Sequence, residues 1–163
     1  MAVAIPLFFK HPQLLVGSVV NALIFTTALN FADFRKVLPA VVLPSVGAVL
    51  GGYLFGPFTV YLVYMVPFIW VGNALLAALM MTLYKGKGVN YVLCLALAAT
   101  LKYAWLFLSA SLLFKFGVVP KPIVAAMGVT QLYTALIGGT LSWPISYCLA
   151  LLSKRGEANA QCG

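Results

Sequence analysis

The chain has 163 residues, of which 64% are hydrophobic and only 7% charged, with ten Lys and Arg against two acids and a net charge of +8. Its mean hydropathy is +1.08, whereas a soluble domain carries about 25% charged residues. This composition identifies an integral membrane protein of a single transmembrane domain and leaves no stretch for a soluble catalytic domain. The basic residues lie almost wholly between apolar runs, where they set orientation against the cytoplasmic face, so they do not indicate nucleic-acid binding.

In chain order, the N-terminus "MAVAIPLFFKHPQLLVGSVV" lacks the basic start of a secretory signal, and no cleaved leader is expected. A first span is predicted at about 12–31, closed by "FADFRK", and a second at about 37–54 within "VLPAVVLPSVGAVLGGYLFG". The stretch 58–84 would be about 40 Å long as one helix, more than a hydrocarbon core of about 30 Å. Pro67 is therefore expected to break it into a short third helix, 57–67, and a fourth, 68–84. "KGKG" at 85–88 is a loop, followed by a span over 90–113. The two prolines of "FKFGVVPKPIV" fit a loop leading into a short helix or turn. A last span covers 130–152, with Pro144 as a kink, before a polar tail at 153–163.

The expected fold is thus an all-α membrane bundle of about six helices, with five as the alternative. Charge favours five, placing the N-terminus outside and the C-terminus inside; the overlong 58–84 run favours six. No internal repeat of 20–50 residues is visible, which argues against an inverted-repeat carrier.

Lys102 is the central oddity. It lies about 12 residues from either end of its span, near the midplane. Both acids, Asp33 and Glu157, are predicted at the membrane surface, so its partner is to be sought among backbone carbonyls, a water-filled cavity, an acid of another subunit or an anionic solute; a lysine held neutral or snorkelling to one interface are the alternatives. "PFIWVGN" brings Trp70, able to stack a planar ligand, and Asn73 onto one helical face. "MGVTQLYTALIGG" places Gln131 and Thr134 three apart, and Asn21 is a polar residue in the first span. Each of these amides and hydroxyls equally serves interhelical hydrogen bonding. Ser18 and Ala22 form a small-xxx-small pair.

Chemistry is limited by what is missing. His11 is the sole histidine, and Cys94, Cys148 and Cys162 show no paired spacing, so neither a metal site nor a cofactor is expected. With no P-loop, no paired intramembrane carboxylates and no Ser/His/Asp set, the chain is not expected to be an enzyme.

The segments "LVGSVVNALIF", "LPSVGAVLGGYLFGP", "PFIWVGN", "LKYAWLF" and "QLYTALIGG", in this order, resemble a family of small bacterial membrane proteins that often carry the name iron hydrogenase. Hydrogenase chemistry needs cysteine-bound clusters that this chain cannot hold. The same proteins look like the S-components of energy-coupling factor (ECF) transporters, with six helices, no ATPase of their own and a Gly-Pro turn before a short third helix, here Gly56-Pro57. The resemblance covers roughly residues 12–150. It implies a subunit of the inner, cytoplasmic membrane that captures a vitamin-like micronutrient and docks on a transmembrane coupling protein driven by two ATPases. S-components dock through an AxxxA pattern in the first helix, for which Ser18 and Ala22 stand here in degenerate form. The chain begins Met-Ala-Val, without the Met-X-His of the nickel and cobalt members, so a metal substrate is not expected.

On this reading Lys102 meets the anionic group of a solute, Trp70 stacks a ring, and Asn21, Asn73, Gln131 and Thr134 fix its polar edge. The rival reading is a non-catalytic accessory subunit of a larger membrane complex, in which Lys102 pairs with a partner's carboxylate.

Overall fold

The computed structural model describes residues 12–51 and 56–161. The expected absence of a leader, the end of the second span at 52–54 and Cys162 lie outside them. The helices are α1 (Pro12–Asn30), α2 (Leu38–Gly51), α3 (Thr59–Leu79), α4 (Tyr91–Lys115), α5 (Lys121–Ala126) and α6 (Val129–Gln161). Four stretches are long and apolar enough to cross a membrane: 13–30, 59–86, 91–115 and 121–153. The chain is a multi-pass membrane protein, all-α among its described residues.

The expected break at Pro67 is overturned. α3 runs through that proline without interruption and continues into a π-helical stretch, Met80–Gly86. Within lipid a broken helix would bare many backbone groups, whereas one proline removes a single donor and neighbouring helices can compensate. The Trp105 indole of α4 donates to the Phe68 carbonyl at 2.9 Å and ties the two helices together beside the proline. Pro144 is likewise carried inside α6, and the expected polar tail is helical as far as Gln161. The short helix expected after "FKFGVVPKPIV" is α5, parted from α6 only by Met127 and Gly128.

Hydrogen bonds between helices set their directions. Gln13 donates to Ala126, Asn21 to Thr134 and Asn30 to Ser146, so α1 runs parallel to α5 and α6. Lys85 at the end of the π-helical stretch reaches the Phe31 carbonyl just beyond α1, so α1 and α3 also run parallel. Asn73 and Trp70 of α3 meet Val41 and Ser45 of α2 in reverse order, and α4 likewise opposes α3. The start of α1 and the end of α6 therefore face opposite sides, as in the five-helix alternative and not the six-helix one. One face carries Arg35, Lys36, Lys85 and Lys87; the other carries Lys115 and Lys121.

Hydrophobicity does not separate the inside of the bundle from its surface: apolar side chains occupy both. Ala28, Ala77, Ala98, Ala99, Ala110 and Ala135 are buried, whereas Leu15, Val19, Val63, Val92, Leu108 and Leu152 are exposed. Lipid is as apolar as leucine, so close packing of small residues and interhelical hydrogen bonds hold such a bundle together. Two apolar clusters result. One, around Phe25, Val41, Leu76, Met80 and Leu95, lies toward the face bearing Lys85; the other, around Leu62, Met65, Leu106 and Ile123, lies toward the opposite face. Lys102 sits between them.

Candidate functional site

Lys102 is only 3% exposed. Its ammonium donates to the Asn21 amide oxygen at 2.6 Å and to the Asn73 amide oxygen at 2.7 Å. Each of the three residues lies near the middle of its own span, so the group they form sits at the depth of the midplane. Asp33 is exposed at the membrane end, where its carboxylate accepts from the Arg35 backbone amide. The lysine is thus held by neutral dipoles: they solvate its charge but do not neutralise it.

The orientation of both amides follows from their other bonds. Asn73 Nδ2 faces the Val41 carbonyl at 3.0 Å, and a carbonyl can only accept, so the Asn73 oxygen must face the lysine. Thr134 spends its hydroxyl proton on the Gln131 carbonyl at 3.1 Å and therefore accepts from Asn21 Nδ2, also at 3.1 Å. This turns the Asn21 oxygen toward Lys102. Five helices meet in one chain of bonds, with lysine as the central donor.

Above the lysine is a cavity of about 80 Å3. Lys102, Asn21 and Asn73 form its floor, and Gln13, Gln131 and Ser45 add polar atoms to its walls. Because Gln13, Leu62 and Met127 stand toward the ends of α1, α3 and α5 that share a face, the cavity extends from the midplane toward that face. The apolar cluster around Phe25 and Leu76 closes the other side. Among the described residues no three His, Cys, Asp or Glu side chains come together.

The residues singled out in the sequence separate into distinct roles. Lys102, Asn21, Asn73 and Gln131 line the cavity. Thr134 is fully buried behind it and positions Asn21. Trp70 does not line it: its indole donates to Ser45 Oγ at 2.7 Å, making it a bolt between α2 and α3 and not a stacking platform. It does share a face with Asn73, since both reach α2 one turn apart.

Ser18 and Ala22 are both buried, and a Cβ at Gly138 would lie 2.7 Å from the Ser18 oxygen and the Ala22 nitrogen, so the small pair seats α6 inside the molecule. Gln13 and Ser45 were not singled out. For Gln13 a signal existed: Gln13, Gly17 and Asn21 recur every four residues, a polar and small stripe along one face of α1.

Comparison with known proteins returns no match to a family model, to a curated protein or to a solved structure. The likeness to S-components therefore rests on the sequence segments that carry it.

Proposed function

We propose that this chain is the membrane-embedded solute-binding subunit of an uptake transporter, holding a small anionic nutrient on Lys102 and working with separate coupling and ATPase subunits. The observation that carries this reading is a buried lysine with neutral partners on the floor of a cavity that extends to one face. An ammonium kept in lipid without a counter-ion is costly, and an arriving anion would offset that cost. The cavity supports a binding role over a purely structural one, since a lysine needed only for packing would leave no space beside its partners.

Orientation is consistent with capture from outside. The face rich in Arg35, Lys36, Lys85 and Lys87 is the cytoplasmic one by the positive-inside rule, which turns the cavity outward in the inner membrane. The chain has no ATP-binding motif, so coupling must come from partners.

The test is mass spectrometry of proteins retained when the chain is gently purified from its native membrane. A coupling protein with two ATPases is the expected result. Redox or other complex subunits without ATPases would overturn the proposal in favour of an accessory subunit whose partner supplies the carboxylate for Lys102.

A further inference from the structure

We infer that the solute is a short aliphatic carboxylate, bound with its head on Lys102 and its chain along the cavity toward the outer face. The inference rests on the solute-binding reading above and narrows it to one chemical class.

Charge comes first. Among the described residues lining the cavity, Lys102 is the one that can carry a charge; the other polar atoms belong to Gln13, Asn21, Ser45, Asn73 and Gln131. With no acid in the wall, a cationic solute would meet the ammonium unaided, so the ligand is an anion.

The donors then show how the anion's oxygens are met. An ammonium has three N–H groups, and two are taken by Asn21 and Asn73. One is left for a ligand. Gln131 adds a second source, because its amide nitrogen has only a long contact to the Met127 sulfur, at 3.9 Å, and Gln13 a third, since its amide spends one N–H on the Ala126 carbonyl and keeps the other. Ser45 contributes none: its hydroxyl proton goes to the Val42 carbonyl at 2.8 Å. Lys102 at the floor and Gln131 in the wall can each meet one of the two oxygens of a carboxylate. A phosphate would bring further charged oxygens against the Asn21 and Asn73 oxygens, which already point at the same spot.

The walls define the body of the ligand. Val16, Val20, Ala48, Leu62, Ile69 and Met127 line the cavity, and among the described residues no aromatic side chain does. Trp70, the residue best suited to stack a ring, is turned away to Ser45. A volume of about 80 Å3 is roughly half that of a cavity that takes benzene, so it holds a carboxylate with its first carbons, and a longer chain extends toward the outer face.

The test is equilibrium binding to the purified full chain in lipid nanodiscs, with pentanoate, pentanamide, benzoate and inorganic phosphate as probes. Pentanoate should bind saturably and at least tenfold more tightly than the other three. Lys102→Met should abolish that binding. So should Asn73→Asp, which puts an internal counter-ion where a neutral oxygen now stands and keeps the shape of the side chain; its folding is checked by monodispersity and thermal unfolding. Benzoate binding as tightly as pentanoate through Lys102 would overturn the aliphatic assignment and leave the solute-binding reading standing. Failure of all four probes on the wild-type chain, or undiminished pentanoate binding by a folded Asn73→Asp chain, would also overturn it. Recovery of ATPase partners judges the transporter reading independently.

Discussion

Gly138 lies against Asn21: a Cβ built on the glycine would stand 2.7 Å from the Asn21 Cβ. The same Cβ would stand 2.7 Å from the backbone atoms of Ser18 and Ala22, so α1 and α6 touch main chain to main chain where the site's asparagine leaves α1. One turn away, a Cβ at Gly17 would meet Thr134 Cγ2 at 2.9 Å. The contact that holds the bundle together is also what brings Thr134 within reach of Asn21.

Gly138→Ala is therefore expected to cost about 1–3 kcal/mol as overpacking, because backbone atoms cannot yield as a flexible side chain would. Thermal unfolding in detergent measures the loss, and solute binding should fall with it as Asn21 moves off Lys102. An unchanged unfolding temperature would show that α6 shifts freely and that the close approach is not needed.

Removing the lysine alone leaves two amide oxygens buried without a donor. For Lys102→Met the cost is about 1–3 kcal/mol per oxygen, offset in part by release of a buried charge. Adding Asn21→Leu and Asn73→Leu should recover most of that loss, since apolar replacements of similar volume are tolerated where half of a polar set is not. Comparing the unfolding temperatures of the single and triple variants decides this. The triple variant should be stable and unable to bind solute.

Trp70 and Gln131 should part company in a binding assay. Trp70→Phe forfeits one hydrogen bond to Ser45, worth about 1 kcal/mol of stability, and leaves affinity within about twofold because the indole is outside the cavity. Gln131→Leu should keep stability and lower carboxylate affinity, on the order of tenfold for a lost hydrogen bond to a charged group. Equal effects on affinity would return Trp70 to the binding surface.

Topology can be read from single cysteines placed in a background with Cys94, Cys148 and Cys162 replaced. Lys36→Cys and Lys87→Cys are expected to resist an impermeant thiol reagent in intact cells, and Lys121→Cys to react. Shared behaviour of positions 36 and 87 separates this arrangement from a six-helix one, in which Pro67 would put them on opposite faces.

Much of the site was legible as chemistry. A lysine, two asparagines, a glutamine and a threonine stand out in apolar runs, because polar groups are expensive in lipid and rarely occur there without a function or a partner. The membrane class, the span of α4 and the midplane depth of Lys102 followed from composition and length alone. Which faces point inward did not follow: with lipid outside and packed side chains inside, apolar residues surround each helix, so periodicity does not distinguish the two sides. Trp70 could stack a ligand or bolt two helices; only the position of Ser45 opposite its indole decided between them. Pro67 could break its span or pass within it, and only the tertiary structure shows α3 continuous through it. Amino-acid type thus determined the cost of each group in a membrane, while the tertiary structure alone decided which groups meet that cost together, since partners such as Asn21 and Lys102 are 81 residues apart and join only when α1 and α4 pack.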